Sequence, residues 1–172
     1  LSSEEFVQNY PDLLNHFSEY IPSRVPRMTA RISQIVDMRH VTLADLCEAS
    51  HVQVYEFYQI MIQSMQENYP RCGGVMPWVF KRPWPTVAVQ MVDGLGDAVA
   101  PFYAVKNAYS DVEIHLALNE LLYAAGDTVE LDARIINESG KKVNGKATTT
   151  VYGPDLKPCA SFEAEVSVDT DT

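Results

Sequence analysis

Basic residues are scarce in this chain, with 13 Lys and Arg set against 23 Asp and Glu for a formal net charge of -10. A polyanion meets repulsion from such a protein instead of a counterion-releasing surface, so nucleic acid is not an expected partner. Long apolar runs are missing too. None nears the roughly 20 residues needed to cross a bilayer, and no membrane partner is expected. Three cysteines, Cys47, Cys72 and Cys159, are too few and too widely spaced for a disulfide framework or a zinc knuckle, and they read as free thiols. His16, His40, His51 and His115 share no metal-ligand spacing, so no metal is expected. Phosphate loops, nucleophile elbows and dinucleotide fingerprints are absent, and Gly94-Leu95-Gly96 lacks a third glycine. No cofactor is expected.

What is present suits a folded protein: 47% of the 172 residues are hydrophobic and 21% charged, enough apolar material for one good core or two small ones. The periodicity changes near Ser110. Residues 1–109 read as mainly helical and 110–172 as strands separated by turns. The charge changes there as well, from 8 Lys and Arg against 11 Asp and Glu to 5 against 12, so the second part is the more acidic. The fold class is α+β.

The strongest element is a long helix opening at Thr42, an N-cap with Asp45 three residues on, and running to Tyr69 before Pro70. Its apolar stripe is Leu43, Leu46, Cys47, Val54, Tyr58, Met61, Ile62, Met65 and Tyr69. Upstream, Ser2 to Glu5 has the form of a capping box, Pro11 to Tyr20 makes a short helix, and Pro22 and Pro26 interrupt the chain before a helical stretch at Ala30 to Val36. Downstream, Gly73 to Phe80 is apolar without alternation, which predicts a strand buried on both faces, as in a parallel sheet. Thr86 to Val92 is a second apolar run, and Pro101 opens a helix ending near Tyr109. Four strands follow: Val112 to Leu118, Thr128 to Ile136, Lys146 to Tyr152 and Ala160 to Val168. In the second, Val129, Leu131, Ala133 and Ile135 alternate with Glu130, Asp132 and Arg134, which predicts one packed and one wet face of a β-sandwich. A sandwich of immunoglobulin type has about seven strands. Four imply truncation or borrowed strands.

The segment Trp78-Val79-Phe80-Lys81-Arg82-Pro83-Trp84-Pro85 resembles the end of the eighth barrel strand in β-mannosidase-type enzymes of glycoside hydrolase family 2, usually Trp-Gln-Leu-Asn-Asp-x-Trp-Pro. Both tryptophans and the last proline fall in register. Gln90 to Gly96 and Ala100 to Lys106 are similar to the family's next stretch, an aspartate and glycine turn before a helix with an aromatic pair and a lysine. The resemblance covers about residues 40 to 140. It implies that 1–109 are the C-terminal part of a (β/α)₈ barrel and 110–172 a truncated immunoglobulin-like β-sandwich.

The same resemblance implies a retaining exo-glycosidase acting on terminal β-linked sugars, with β-mannoside favoured over β-galactoside or β-glucuronide. Such enzymes use two carboxyl groups roughly 5–5.5 Å apart. In this family they are glutamates on strands four and seven, so both are expected upstream of Leu1 and the isolated chain is expected to be inactive. Asn119-Glu120 and Asn137-Glu138 imitate the family's Asn-Glu pair but lie in the strand-and-turn part, away from the end of a barrel strand. What remains is substrate contact. Trp78 is expected to stack on the sugar, with Lys81, Arg82 and Trp84 beside it, the two cations standing where the family has Asn-Asp. A competing reading is a non-catalytic carbohydrate-binding or interaction module with a closed core. A cut barrel instead leaves Gly73 to Phe80 and one side of the long helix without partners, open to self-association into a homo-oligomer. On the cut-barrel reading the first 40 residues are the most mobile.

Overall fold

Thr42 is extended (φ -87°, ψ 169°) and its side chain takes the Asp45 N–H, while the Asp45 carboxylate takes the Thr42 N–H at 2.8 Å. This reciprocal box starts α1, Leu43–Glu67, in the computed structural model of the chain. The structure describes residues 30–83, 90–118 and 123–170. The readings at Ser2 to Glu5, Pro11 to Tyr20 and Asn119-Glu120 lie outside them, as does most of the mobility expected for the first 40 residues. The chain divides into two compact units, Leu1–Ala108 and Tyr109–Thr172.

In the first unit α1 ends on Asn68, whose amide donates to the Ser64 carbonyl at 2.7 Å, before Pro70. Its buried face is Leu46, Ala49, Tyr58, Ile62 and Gln66. The N-terminal half of that face packs with Ile32 and Met38, and the C-terminal half carries Tyr58 against Met91 and Ala104. The helix α2, Ala100–Ala108, lies along α1 and is pinned by Gln66 Nε2 donating to the Ala108 carbonyl at 3.1 Å and Asn107 Nδ2 to the Tyr55 hydroxyl at 2.8 Å.

Three expectations for this unit are corrected. Cys47 and Tyr69 leave the apolar stripe: both are exposed, since only one side of α1 is covered and Tyr69 lies past its end. The helical stretch expected at Ala30 to Val36 is helical only at 30–32 and then turns. Gly73 to Phe80 is not a buried strand. A parallel strand needs neighbours on its edges and cover on its faces, and among the described residues the only ladder contact nearby is the parallel bridge of Lys81 with Val92. Met76, Trp78 and Phe80 stand 96%, 80% and 59% exposed in consequence. The Trp78–Val79 peptide bond is cis. Of the apolar run Thr86 to Val92, residues 86–89 lie outside the described ones.

The second unit contains all four expected strands: β1 Val112–Leu118, β2 Leu131–Asn137, β3 Val143–Tyr152 and β4 Pro158–Val168. They form two antiparallel pairs, β1 with β2 (Val112 opposite Asn137) and β3 with β4 (Val143 opposite Val168). A tight turn joins β3 to β4, with the Gly153 N–H donating to the Lys157 carbonyl at 2.9 Å. Two two-stranded sheets are not a closed sandwich, which corrects the expected alternation. Leu131 and Ala133 are exposed alongside Asp132 and Arg134, because among the described residues no facing sheet covers the apolar side. The two pairs meet at Asn137. Its fully buried amide donates to the carbonyls of Lys141 (2.8 Å), Val168 and Asp169 (both 3.2 Å) and accepts from Ser139 Oγ at 2.6 Å, tying the end of β2 to the end of β4. The glycosylation sequon Asn137-Glu138-Ser139 therefore has its acceptor nitrogen occupied inside the fold.

Candidate functional site

The stretch carrying Trp78 is anchored from behind by the core under α1. Met91 is buried against Tyr58 and Ala104, and the N–H groups of Met91 and Val92 both donate to the Phe80 carbonyl, at 3.1 and 2.9 Å. Val92 then bridges to Ala98, and the Val99 N–H returns to the Met91 carbonyl at 3.0 Å. Between them Asp93 closes a turn. Its Oδ1 accepts the N–H groups of Leu95, Gly96 and Asp97, each at 2.9 Å, and Gly96 has φ +103°, which favours glycine. The turn feeds α2, so a short run of hydrogen bonds connects the α1–α2 core to the backbone at Phe80.

Beyond that anchor the side chains face outward. Trp78 presents its indole to solvent, Lys81 is exposed, and Arg82 is half-buried with Nε buried and without a hydrogen-bond partner among the described residues. Trp84 lies outside the described residues. Three of the four expected contact residues thus occupy one short irregular stretch, with bends at Trp78 and Phe80. No Asp or Glu occurs between Glu67 and Asp93, whereas Arg71, Lys81 and Arg82 do. An exposed indole and two cations can bind and orient a ligand, but this stretch carries no carboxyl pair for acid/base or nucleophilic work.

Shifted titrations lie elsewhere and have local causes. Arg39 beside Asp37 holds its carboxyl well below the usual range, the Thr42 hydroxyl and N–H lower Asp45, and the hydrogen bond from Lys157 lowers Asp155. Burial pushes the Tyr58 phenol up. These are turn, cap and core effects, and none marks a reaction centre. A shallow groove between α1 and the start of α2, lined by His51, Val52, Tyr55, Glu56, Gln59 and Ala100, contains none of the expected contact residues. Among the described residues no group of three His, Cys, Asp or Glu is placed to hold a metal, and no helix is long and apolar enough to cross a membrane. Sequence reasoning did not anticipate the buried Gln66, which holds α2, or Asn137 as the tie between strand pairs. Each is a lone polar residue whose role depends on distant carbonyls.

No protein-family profile matches the chain. Over 118 residues it is 27% identical to a mannosylglycoprotein endo-β-mannosidase of Lilium longiflorum, a match spanning 67% of this chain and 12% of that protein. The resemblance to glycoside hydrolase family 2 stands. Solved structures agree at the level of fold. The chain superposes on the exo-chitosanase CsxA of Amycolatopsis orientalis with TM-score 0.58 and 23% identity, over 76% of this chain and 15% of that one. A second structure, described as the exo-β-D-glucosaminidase CsxA, gives TM-score 0.70 and 20% identity over 90% of this chain and 18% of that one. These relatives are glycosidases acting on β-linked sugars, and the chain spans less than a fifth of each.

Proposed function

We propose that this chain is the closing part of a family 2 glycosidase barrel with the start of the sandwich that follows it, cut from a retaining, exo-acting enzyme for terminal β-linked sugars. Both catalytic carboxyl groups then belong to preceding barrel strands, and this segment supplies substrate contact through Trp78, Lys81, Arg82 and Trp84. The observation that carries the reading is the row of outward apolar side chains, Met76, Trp78 and Phe80, on a segment held at its C-terminal end by the α1–α2 core. In a complete barrel Gly73 to Phe80 gains neighbouring strands and becomes the eighth strand, with Trp78 near its C-terminal end, where barrel active sites form. The same exposure argues against a self-sufficient binding module, as do Val52, Phe57 and Ile60, exposed on α1.

β-Mannoside is the favoured substrate, supported by the name of the lily relative. That name also motivates a second reading, in which the parent cleaves internal mannosidic bonds of glycoprotein glycans. The test is to assay the longest protein the gene encodes, and the 172-residue chain alone, on para-nitrophenyl β-mannoside, β-galactoside and β-glucuronide and on a mannose-containing N-glycan. Turnover confined to the longer protein is expected, and release of a single terminal sugar favours the exo mode. Turnover by the isolated chain would refute the reading.

A further inference from the structure

The Trp78 ring is 80% exposed, so its own packing does little to fix it, and the backbone that follows sets its place. That backbone is anchored at Phe80 and Lys81. The Phe80 carbonyl accepts the N–H groups of both Met91 and Val92, and Lys81 bridges to Val92 beside it. Val92 also bridges to Ala98, so three short segments meet at one residue. The turn between Val92 and Ala98 keeps them opposite each other, and Asp93 closes that turn twice over. Its backbone N–H donates to the Asp97 carbonyl at 2.9 Å, and its Oδ1 takes the N–H groups of Leu95, Gly96 and Asp97. Hydrogen bonds to a carboxylate are about twice as strong as those between neutral groups. The turn has little packing to replace them, since Leu95 is 79% exposed and Gly96 and Asp97 are exposed as well.

We infer that Asp93 is a positioning residue for the sugar bound at Trp78, acting through Val92 and the Phe80 carbonyl on the placement of the indole. The inference rests on the glycosidase reading above and adds to it a residue outside the four expected contacts. A misplacement of about 1 Å in a group that holds substrate can cost on the order of 100-fold in rate. A smaller loss is expected here, because Met91 keeps its seat against Tyr58 and Ala104 when the turn loosens.

The experiment is a double-mutant cycle in the longest protein the gene encodes, with kcat/KM measured on whichever of para-nitrophenyl β-mannoside, β-galactoside and β-glucuronide it turns over fastest. Asp93→Ala should lower kcat/KM about ten-fold, and Asp93→Asn, which keeps an oxygen for the N–H groups of the turn, about three-fold or less. In Trp78→Ala, itself expected to lose about 30-fold, adding Asp93→Ala should lower kcat/KM by no more than about two-fold further, because the group it positions is gone. Hydrogen exchange at the Met91 and Val92 amides should quicken about ten-fold or more in Asp93→Ala. Thr42→Ala, which weakens α1 but not the turn, should leave both that exchange and kcat/KM unchanged. Losses that multiply to about 300-fold in the double variant would make the two residues independent and overturn the inference. So would unchanged exchange in Asp93→Ala, or a loss in Asp93→Asn as large as in Asp93→Ala, which would assign the effect to charge and not to the turn. Turnover without coupling overturns this inference alone; no turnover of any of the glycosides overturns the glycosidase reading with it. If Asp93→Ala fails to fold, Gly96→Ala strains the same turn, since Gly96 has φ +103°, and the cycle with Trp78→Ala is expected to show the same coupling.

Discussion

Replacing Trp78 by alanine separates a contact residue from a core residue. The indole is 80% exposed, so only about a fifth of the roughly 150–250 Å² that a large aromatic can bury is withdrawn from water. At about 25 cal/mol per Å² that is worth roughly 1 kcal/mol, against about 3–5 kcal/mol for truncating an aromatic inside a packed core. Folding stability of the 172-residue chain, followed by urea titration with far-ultraviolet circular dichroism, should therefore fall by no more than about 1 kcal/mol in Trp78→Ala. Binding should suffer more. A sugar covering roughly 80 Å² of the ring gains about 2 kcal/mol from it, so kcat/KM of the parent protein should fall about 30-fold. Trp78→Phe should recover part of the loss. A stability cost near 4 kcal/mol with unchanged kinetics would refute the reasoning and make Trp78 an ordinary packing residue.

Ile62 is fully buried in the covered face of α1, so Ile62→Ala should cost about 2–5 kcal/mol in the same titration, and a cost under 1 kcal/mol would mean that this face is not packed. Thr42→Ala removes the α1 cap and should cost about 1 kcal/mol at neutral pH. Asp45, the partner in that cap, is held below its ordinary value of 3.8, so its stabilisation is complete above that value and is lost as the pH falls below it through the lowered folded value. Melting curves between pH 7 and 2 should accordingly differ least between wild type and Thr42→Ala at the acid end. With Met76, Trp78, Phe80, Phe57 and Ile60 exposed, the isolated chain should bind anilinonaphthalene sulfonate and self-associate with rising concentration, whereas the longer parent should do neither; sedimentation velocity on both reads this directly.

Helices and strands were legible in the residues because their signals are local. The Thr42 and Asp45 box fixes the start of α1, Pro70 follows its end, and the alternating and β-branched runs from Val112 onward mark four strands. Burial was less legible. The apolar run Gly73 to Phe80 encodes a strand covered on both faces, yet coverage depends on partners that the described residues do not contain, so the run is irregular and largely exposed. The alternation in β2 failed for the same reason. Of the expected contact residues, Trp78 owed its place to a motif resemblance, while the buried Nε of Arg82 could be found only in three dimensions.

The most direct test of the account is a crystal structure of the longest protein encoded by the gene. The account predicts Gly73 to Phe80 as a parallel strand between two others, Met76 and Phe80 buried, and the Trp78 ring facing a cleft that contains two carboxyl groups about 5–5.5 Å apart. A protein in which that segment remains unpaired and exposed, or in which Trp78 faces no cleft, would contradict it.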